Sequence, residues 1–131
     1  MADYNITSAV VGDVLVITNQ GRVTDRDALA MAERHFELLL ESNQTKILVD
    51  IRQLERWISL GEMYFLIRKL PVTSKPNIKV AIIDREENRK YNDFLQTTSA
   101  NVGISINMFY EYAAAEAWLR GWRRQWAVDR R

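Results

Sequence analysis

Lys46-Ile47-Leu48-Val49-Asp50-Ile51-Arg52, residues 46–52, is the stretch that decides the fold. Ile47, Leu48 and Val49 follow one another with no polar residue between them. A strand that reads this way has no water-facing side, so Lys46 to Asp50 is expected to be covered on both faces, as strands of parallel sheets are. Val14-Leu15-Val16-Ile17 upstream has the same character and predicts a strand from Val14 to Thr18. Downstream, Ile78 to Asp84 and Ile104 to Phe109 read as two more strands. Tyr4 to Val10 precedes them all, and the Val11-Gly12-Asp13 turn makes it a hairpin partner of the second strand.

Helices are expected between and after these strands. Gly21 is read as breaking the second strand. Thr24 then stands as an N-cap, with Asp25 and Asp27 in the first turn, where carboxylates favour the helix dipole. That helix runs to about Ser42. Leu29, Ala32, Phe36 and Leu39 recur at helical spacing and are expected to face the sheet, with Glu33, Arg34, Glu37 and Glu41 in water. Ile51 to Ile58 reads as a loop. Ser59 and Glu62 form a capping-box pattern for a helix that ends before Pro71. Further helices are expected from Glu86 to Ala100, with Tyr91, Phe94 and Leu95 inward, and from Glu111 to Trp126.

The order is β-β-α-β-α-β-α-β-α. It implies an α/β fold with a five-stranded mixed, mostly parallel sheet covered by four helices. A length of 131 residues with no linker or repeat predicts a single domain over residues 1–131. Hydrophobic residues make up 47% and charged residues 27%, a globular balance. The absence of cysteine removes disulfides, thiolate catalysis and cysteine-ligated metals. No secretory signal is read in Met1 to Ile6, and no apolar run reaches the roughly 20 residues of a membrane span. A cytoplasmic location is therefore expected. The net charge of +1 gives no reason to expect nucleic acid as a partner.

The element order and several local stretches resemble the SpoIIAA-like branch of the STAS superfamily, whose founding members are anti-sigma-factor antagonists. The resemblance runs from about Val14 to Trp122. It is carried by Gly21-Arg22-Val23-Thr24, by Ile47 to Arg52, by Lys79-Val80-Ala81-Ile82-Ile83, and by Met108-Phe109 followed by Glu116-Ala117-Trp118-Leu119. It implies a STAS-like fold and a regulatory role through protein binding. In the antagonists a serine at the start of the helix after the third strand is phosphorylated by a partner kinase. Ser59 holds that position here, flanked by Ile58 and Leu60. The branch is also compared with Sec14-like lipid carriers, which implies an apolar or amphipathic ligand as the alternative.

Residue by residue, the chemistry is sparse. Ser59 reads first as a helix N-cap and second as a phosphorylation switch, since a phosphate at a helix N-terminus meets free N–H groups. Asp50 and Asp84 end the third and fourth strands, where ligands of open α/β sheets bind. They form at most a minor candidate for metal or phosphoryl chemistry, because no convergent partners are evident. Arg52, Arg56, Arg85 and Lys90 line the same end. They form either an anion-binding rim or a solvated rim paired with Glu55, Glu86 and Glu87, the second reading being preferred. His35 is the only histidine, and a surface or boundary position is expected. No triad elbow and no glycine-rich phosphate loop occurs, and neither metal nor cofactor is expected.

Trp118, Trp122 and Trp126 fall four residues apart on one helical face. Trp118 is expected to close the core. Trp122 and Trp126, beside Arg123 and Arg124, admit packing over the domain edge, a homodimer interface or a membrane surface. Met63 to Ile67 make the second helix apolar almost all round, which suits a buried helix, a pocket cover or a partner surface. The leading expectation is a non-enzymatic regulatory or protein-interaction module. Its contact face would comprise Asp50, Arg52, Arg56, Trp57, Gly61, Tyr64, Asp84 and Arg85. The alternative is a carrier or sensor of a small apolar ligand held between the sheet and the helix from Gly61 to Leu70. A weaker one is an enzyme acting at the strand ends.

Overall fold

Alternate residues of the unbroken apolar runs go to opposite faces of the sheet, which is why those runs can be apolar throughout. Leu15, Ile17, Ile47, Val49 and Ile51 join one buried cluster, whereas Val14, Leu48, Ala81 and Ile83 join another. The computed structural model describes residues 3–57, 78–93 and 105–121. Their strands form one five-stranded sheet in chain order. These are β1 (Tyr4–Val11), β2 (Val14–Thr24), β3 (Lys46–Trp57), β4 (Lys79–Ile83) and β5 (Ser105–Phe109). β1 is antiparallel to β2, and every later pair is parallel. Gly12 supplies the positive φ (64°) that the tight hairpin turn between β1 and β2 requires.

Helix α1 (Asp25–Ser42) supplies Met31, Leu38 and Leu39 to the first cluster. After β4, a 3-10 turn (Glu86–Asn88) runs into α2, whose described residues are 89–93. Helix α3 (Tyr112–Leu119) brings Ala115 and Leu119 to the second cluster on the opposite face. Each fully buried aliphatic side chain in these clusters contributes roughly 1.5–3 kcal/mol. The mixed, mostly parallel sheet is therefore as expected. Of the four expected helices, the one from Ser59 to before Pro71 lies outside the described residues. So do Phe94 and Leu95. The last helix, expected to reach Trp126, instead closes at Leu119: Gly121 takes a positive φ of 78° and its N–H donates to the Trp118 carbonyl at 3.2 Å.

Three further local expectations are corrected. First, Gly21 does not end β2, and Ile51 to Trp57 is strand, not loop. β2 continues to Thr24 and pairs in parallel with β3 from Gln20↔Gln53 to Thr24↔Trp57. The register shifts between Thr18↔Asp50 and Gln20↔Gln53, so Ile51 and Arg52 together oppose Asn19. This bulge breaks the period-2 alternation, leaving Ile51 and Leu54 both buried three residues apart. Gly21 has φ +106°, and a Cβ there would collide with the Asp3 carbonyl oxygen. Its glycine serves the close approach of the start of β1, where the Arg22 N–H donates to Asp3 O at 3.0 Å.

Second, α1 is turned from its expected orientation. Its buried residues are Ala28, Met31, Leu38 and Leu39, whereas Leu29 is 45% exposed. The stripe at 28, 31, 35 and 38 includes His35, which an apolar count passes over. Phe36 packs at the margin of the first cluster. The expected water-facing residues Glu33, Arg34, Glu37 and Glu41 are exposed. Third, Thr24 occupies the N-cap position but makes no side-chain cap hydrogen bond.

Candidate functional site

Asp84 directly follows β4, as the sequence reading places it. Asp50 does not end its strand but stands in the middle of β3, opposite Ile83 at the end of β4, because β3 runs on beside β2 to Trp57. Asp50 is held by its neighbour two residues on. Arg52 donates from Nε to Oδ1 at 3.0 Å, from Nη2 to Oδ2 at 2.8 Å, and from its backbone N–H to Oδ1 at 3.1 Å. Residues two apart on a strand share a face, and the fork of the guanidinium fits the carboxylate. Burial would raise the Asp50 carboxyl, but the hydrogen bonds and charge of Arg52 outweigh it and bring it below its ordinary value. The same hydrogen bonds hold Arg52 above its ordinary value, with Glu111 at the start of α3 adding to the effect.

Asp84 is almost fully buried, at 1% exposure. It accepts from the Arg85 backbone N–H at 2.7 Å, from Asn88 Nδ2 at 3.0 Å and from Asn92 Nδ2 at 2.9 Å. The 3-10 turn and the first turn of α2 bring both amides back over the strand end. Asp50 and Asp84 thus have separate donor sets. Among the described residues no group of three His, Asp or Glu side chains is placed to hold a metal.

The rim around these carboxylates is charged and largely self-paired. Arg89 pairs with Glu86 and stacks over the Tyr110 ring at 4.3 Å. Arg85 lies 3.9 Å from Glu87, an ion pair but too long for a hydrogen bond, and its Nη2 reaches the Leu54 carbonyl at 3.4 Å. Arg85 Nε itself is buried without a hydrogen-bond partner. The preferred reading of a solvated, paired rim fits Arg85, with Glu86 pairing to Arg89 rather than to one of the named cations. Beyond this rim β2 and β3 continue past the end of β4 as a ribbon with exposed Arg22, Gln53 and Glu55. Arg56 and Trp57 occupy the last positions of β3. Ser59, Gly61, Tyr64, Trp122, Arg123 and Trp126 lie outside the described residues.

A polar pair near this end, between fully buried Asn19 and half-buried His35, was not anticipated. Asn19, 0% exposed, accepts at Oδ1 from His35 Nε2 across 2.7 Å. Asn19 Nδ2 also makes a long hydrogen bond (3.4 Å) to the Asp50 carbonyl, where the bulge interrupts the ladder. That bond turns Oδ1 toward the ring, so Nε2 carries the donated proton and Nδ1 is the bare nitrogen of a neutral imidazole. Burial pushes the His35 pKa down to about 4. The signal for this pair was present: Asn19 continues the inward parity of Leu15 and Ile17, and His35 continues the stripe of Ala28 and Met31.

Trp118 does close the core, packing on the second cluster and lying 5.7 Å from Phe109 between ring centroids. Lys79 sits over its ring at 4.9 Å. No helix among the described residues is long and apolar enough to cross a membrane.

No protein-family model matches this sequence, and no curated protein matches it. Solved structures do. An anti-sigma factor antagonist from Mycobacterium paratuberculosis superposes with a TM-score of 0.59 at 13% identity, covering 89% of this chain and 94% of its own. An uncharacterized protein with a SpoIIAA-like fold from Shewanella loihica gives 0.56 at 21% identity, covering 88% and 93%.

Proposed function

On a chain whose fold is SpoIIAA-like, we propose a non-enzymatic regulatory module that works by binding another protein. The observation that carries this reading is the state of Asp50 and Asp84, the two carboxylates beside the end of β4. In a catalytic site they would be open to a substrate. Here Asp50 is taken up by Arg52, and Asp84 by Asn88, Asn92 and the Arg85 N–H. What that end offers to solvent is the β2–β3 ribbon with Arg22, Gln53 and Glu55. One similar solved structure is of an anti-sigma factor antagonist, which supports a protein partner. The contact face in this reading is Arg52 to Gly61 together with the helix the sequence leads one to expect after it, with Ser59 as a phosphorylation switch at its edge.

The test is site-specific photo-crosslinking in the native host. A photoreactive residue at Gln53 is expected to yield one recurrent protein adduct, and the same group at Gln44, at the other end of the sheet, none. Equal labelling at both positions, or none at Gln53, would remove the ribbon as the contact face. Mass spectrometry of the same purified chain reads Ser59 directly.

A further inference from the structure

β1 is the outer strand of the sheet, beside β2. From Thr7 to Val11 every residue is exposed, Val10 at 50% and Val11 at 55%. Edge strands are ordinarily protected by lysine, proline, a bulge or a covering element. Between Tyr4 and Val11 there is no charged residue and no proline, and the ladder to β2 runs without a register shift. The Arg22 N–H donates to Asp3 O, so Asp3 turns its backbone toward β2. By antiparallel alternation Asn5, Thr7, Ala9 and Val11 do the same. Tyr4, Ile6, Ser8 and Val10 therefore point their N–H and C=O groups away from the sheet.

We propose that β1 pairs antiparallel with β1 of a second copy of this chain, about a two-fold axis at Ser8, joining two five-stranded sheets into one. A two-fold contact needs a surface complementary to itself. Ile6 and Val10 stand at equal distances either side of Ser8, so each lies opposite the other in the second copy, a pairing that suits β-branched side chains. Thr7 lies opposite Ala9, and Asn5 opposite Val11. The charge pattern agrees, because no ionised side chain from Tyr4 to Val11 meets its own copy. Ile6 already packs against the first cluster, so the new apolar pair extends an existing core. Seven paired residues span about 24 Å, a strip narrower than the ~800 Å² per partner of a standard interface. The dimer is therefore reversible and concentration-dependent.

The chain has no cysteine, so Ser8→Cys introduces a single thiol. At the axis the two Cα atoms would stand about 5.5 Å apart, within the range a disulfide spans. In a thiol–disulfide exchange buffer, Ser8→Cys is expected to form a covalent dimer about tenfold or more faster than Leu40→Cys, exposed on α1, because pairing raises the effective thiol concentration. Ser8→Pro removes an outward N–H and leaves the β2 ladder whole. Sedimentation of that variant, with its fold checked by circular dichroism, is expected to show loss of the dimer that the parent chain forms at high concentration. Equal cross-linking of the two cysteine variants, as when the strand of another protein is the true occupant, overturns the proposal. So does a parent chain that stays monomeric at every concentration, or a folded Ser8→Pro variant that keeps the dimer.

Discussion

His35 Nε2 lies 2.7 Å from Asn19 Oδ1, joining the middle of α1 to the bulge where β2 and β3 change register. The pair stands where the apolar stripes of both elements would otherwise continue. It ties the helix to the sheet through direction as well as area, because a hydrogen bond, unlike an apolar contact, is lost when the helix slides or turns.

The first prediction concerns pH. His35 has its pKa lowered to about 4 from an ordinary 6.5, so between these values the unfolded chain binds a proton that the folded chain does not. Stability from this group is complete above pH 6.5, falls as the pH drops toward 4, and levels below it, a span of up to about 3 kcal/mol. Urea titrations at pH 7 and pH 4.5 measure the fall. His35→Gln, which keeps a donor for Asn19, is expected to reduce it, and an equal fall in both chains would acquit His35.

A second prediction isolates the pair. Asn19→Ala leaves the His35 ring without its acceptor and the Asp50 carbonyl without the amide donor. A cost of about 1–3 kcal/mol is expected. In a double-mutant cycle with His35→Ala the two losses should fall short of additive, because each single change already breaks the contact. Strict additivity would mean that the two side chains act independently.

Gly21 gives a third. An alanine there meets the Asp3 carbonyl and must keep φ near +106°. Gly21→Ala is expected to cost more than about 1–3 kcal/mol in thermal unfolding, since strain and clash add. Gly12→Ala, with open space around it, should cost less, about 1 kcal/mol. Hydrogen exchange should report loosening at the start of β1 in the Gly21 variant alone.

The Asp50–Arg52 pair supplies a fourth. Asp50 titrates below its ordinary 3.8, so its contribution is present above that pH and is lost as the pH falls through the folded value. Arg52 is partly exposed, which limits the effect of Arg52→Ala to about 1 kcal/mol at pH 7. The difference between parent and variant is expected to shrink at pH 3. NMR titration should show the Asp50 carboxyl rising in the variant, and an unchanged value would mean that Arg52 is not what lowers it.

Local pattern determined much of this protein. The runs Val14 to Ile17 and Ile47 to Val49 announced strands covered on both faces, and the alternation of strands and helices announced a mostly parallel sheet. Asp84 was placed at its strand end from the position of the run alone. These properties are legible because each depends on residues a few positions apart.

Tertiary structure alone decided the rest. Ile51 to Ile58 reads as a loop, but pairing with Gln20 to Thr24 makes it strand as far as Trp57, and a bulge absorbs the shift in register. Gly21 reads as a stop until the approach of Asp3 makes it a necessity within the strand. His35 is the boundary residue it reads as, but only Asn19, 16 positions away, shows the partner its ring has there. In each case the deciding partner is distant in sequence. A hydrogen bond or close approach between distant segments leaves no period in either one, so only the folded chain can display it.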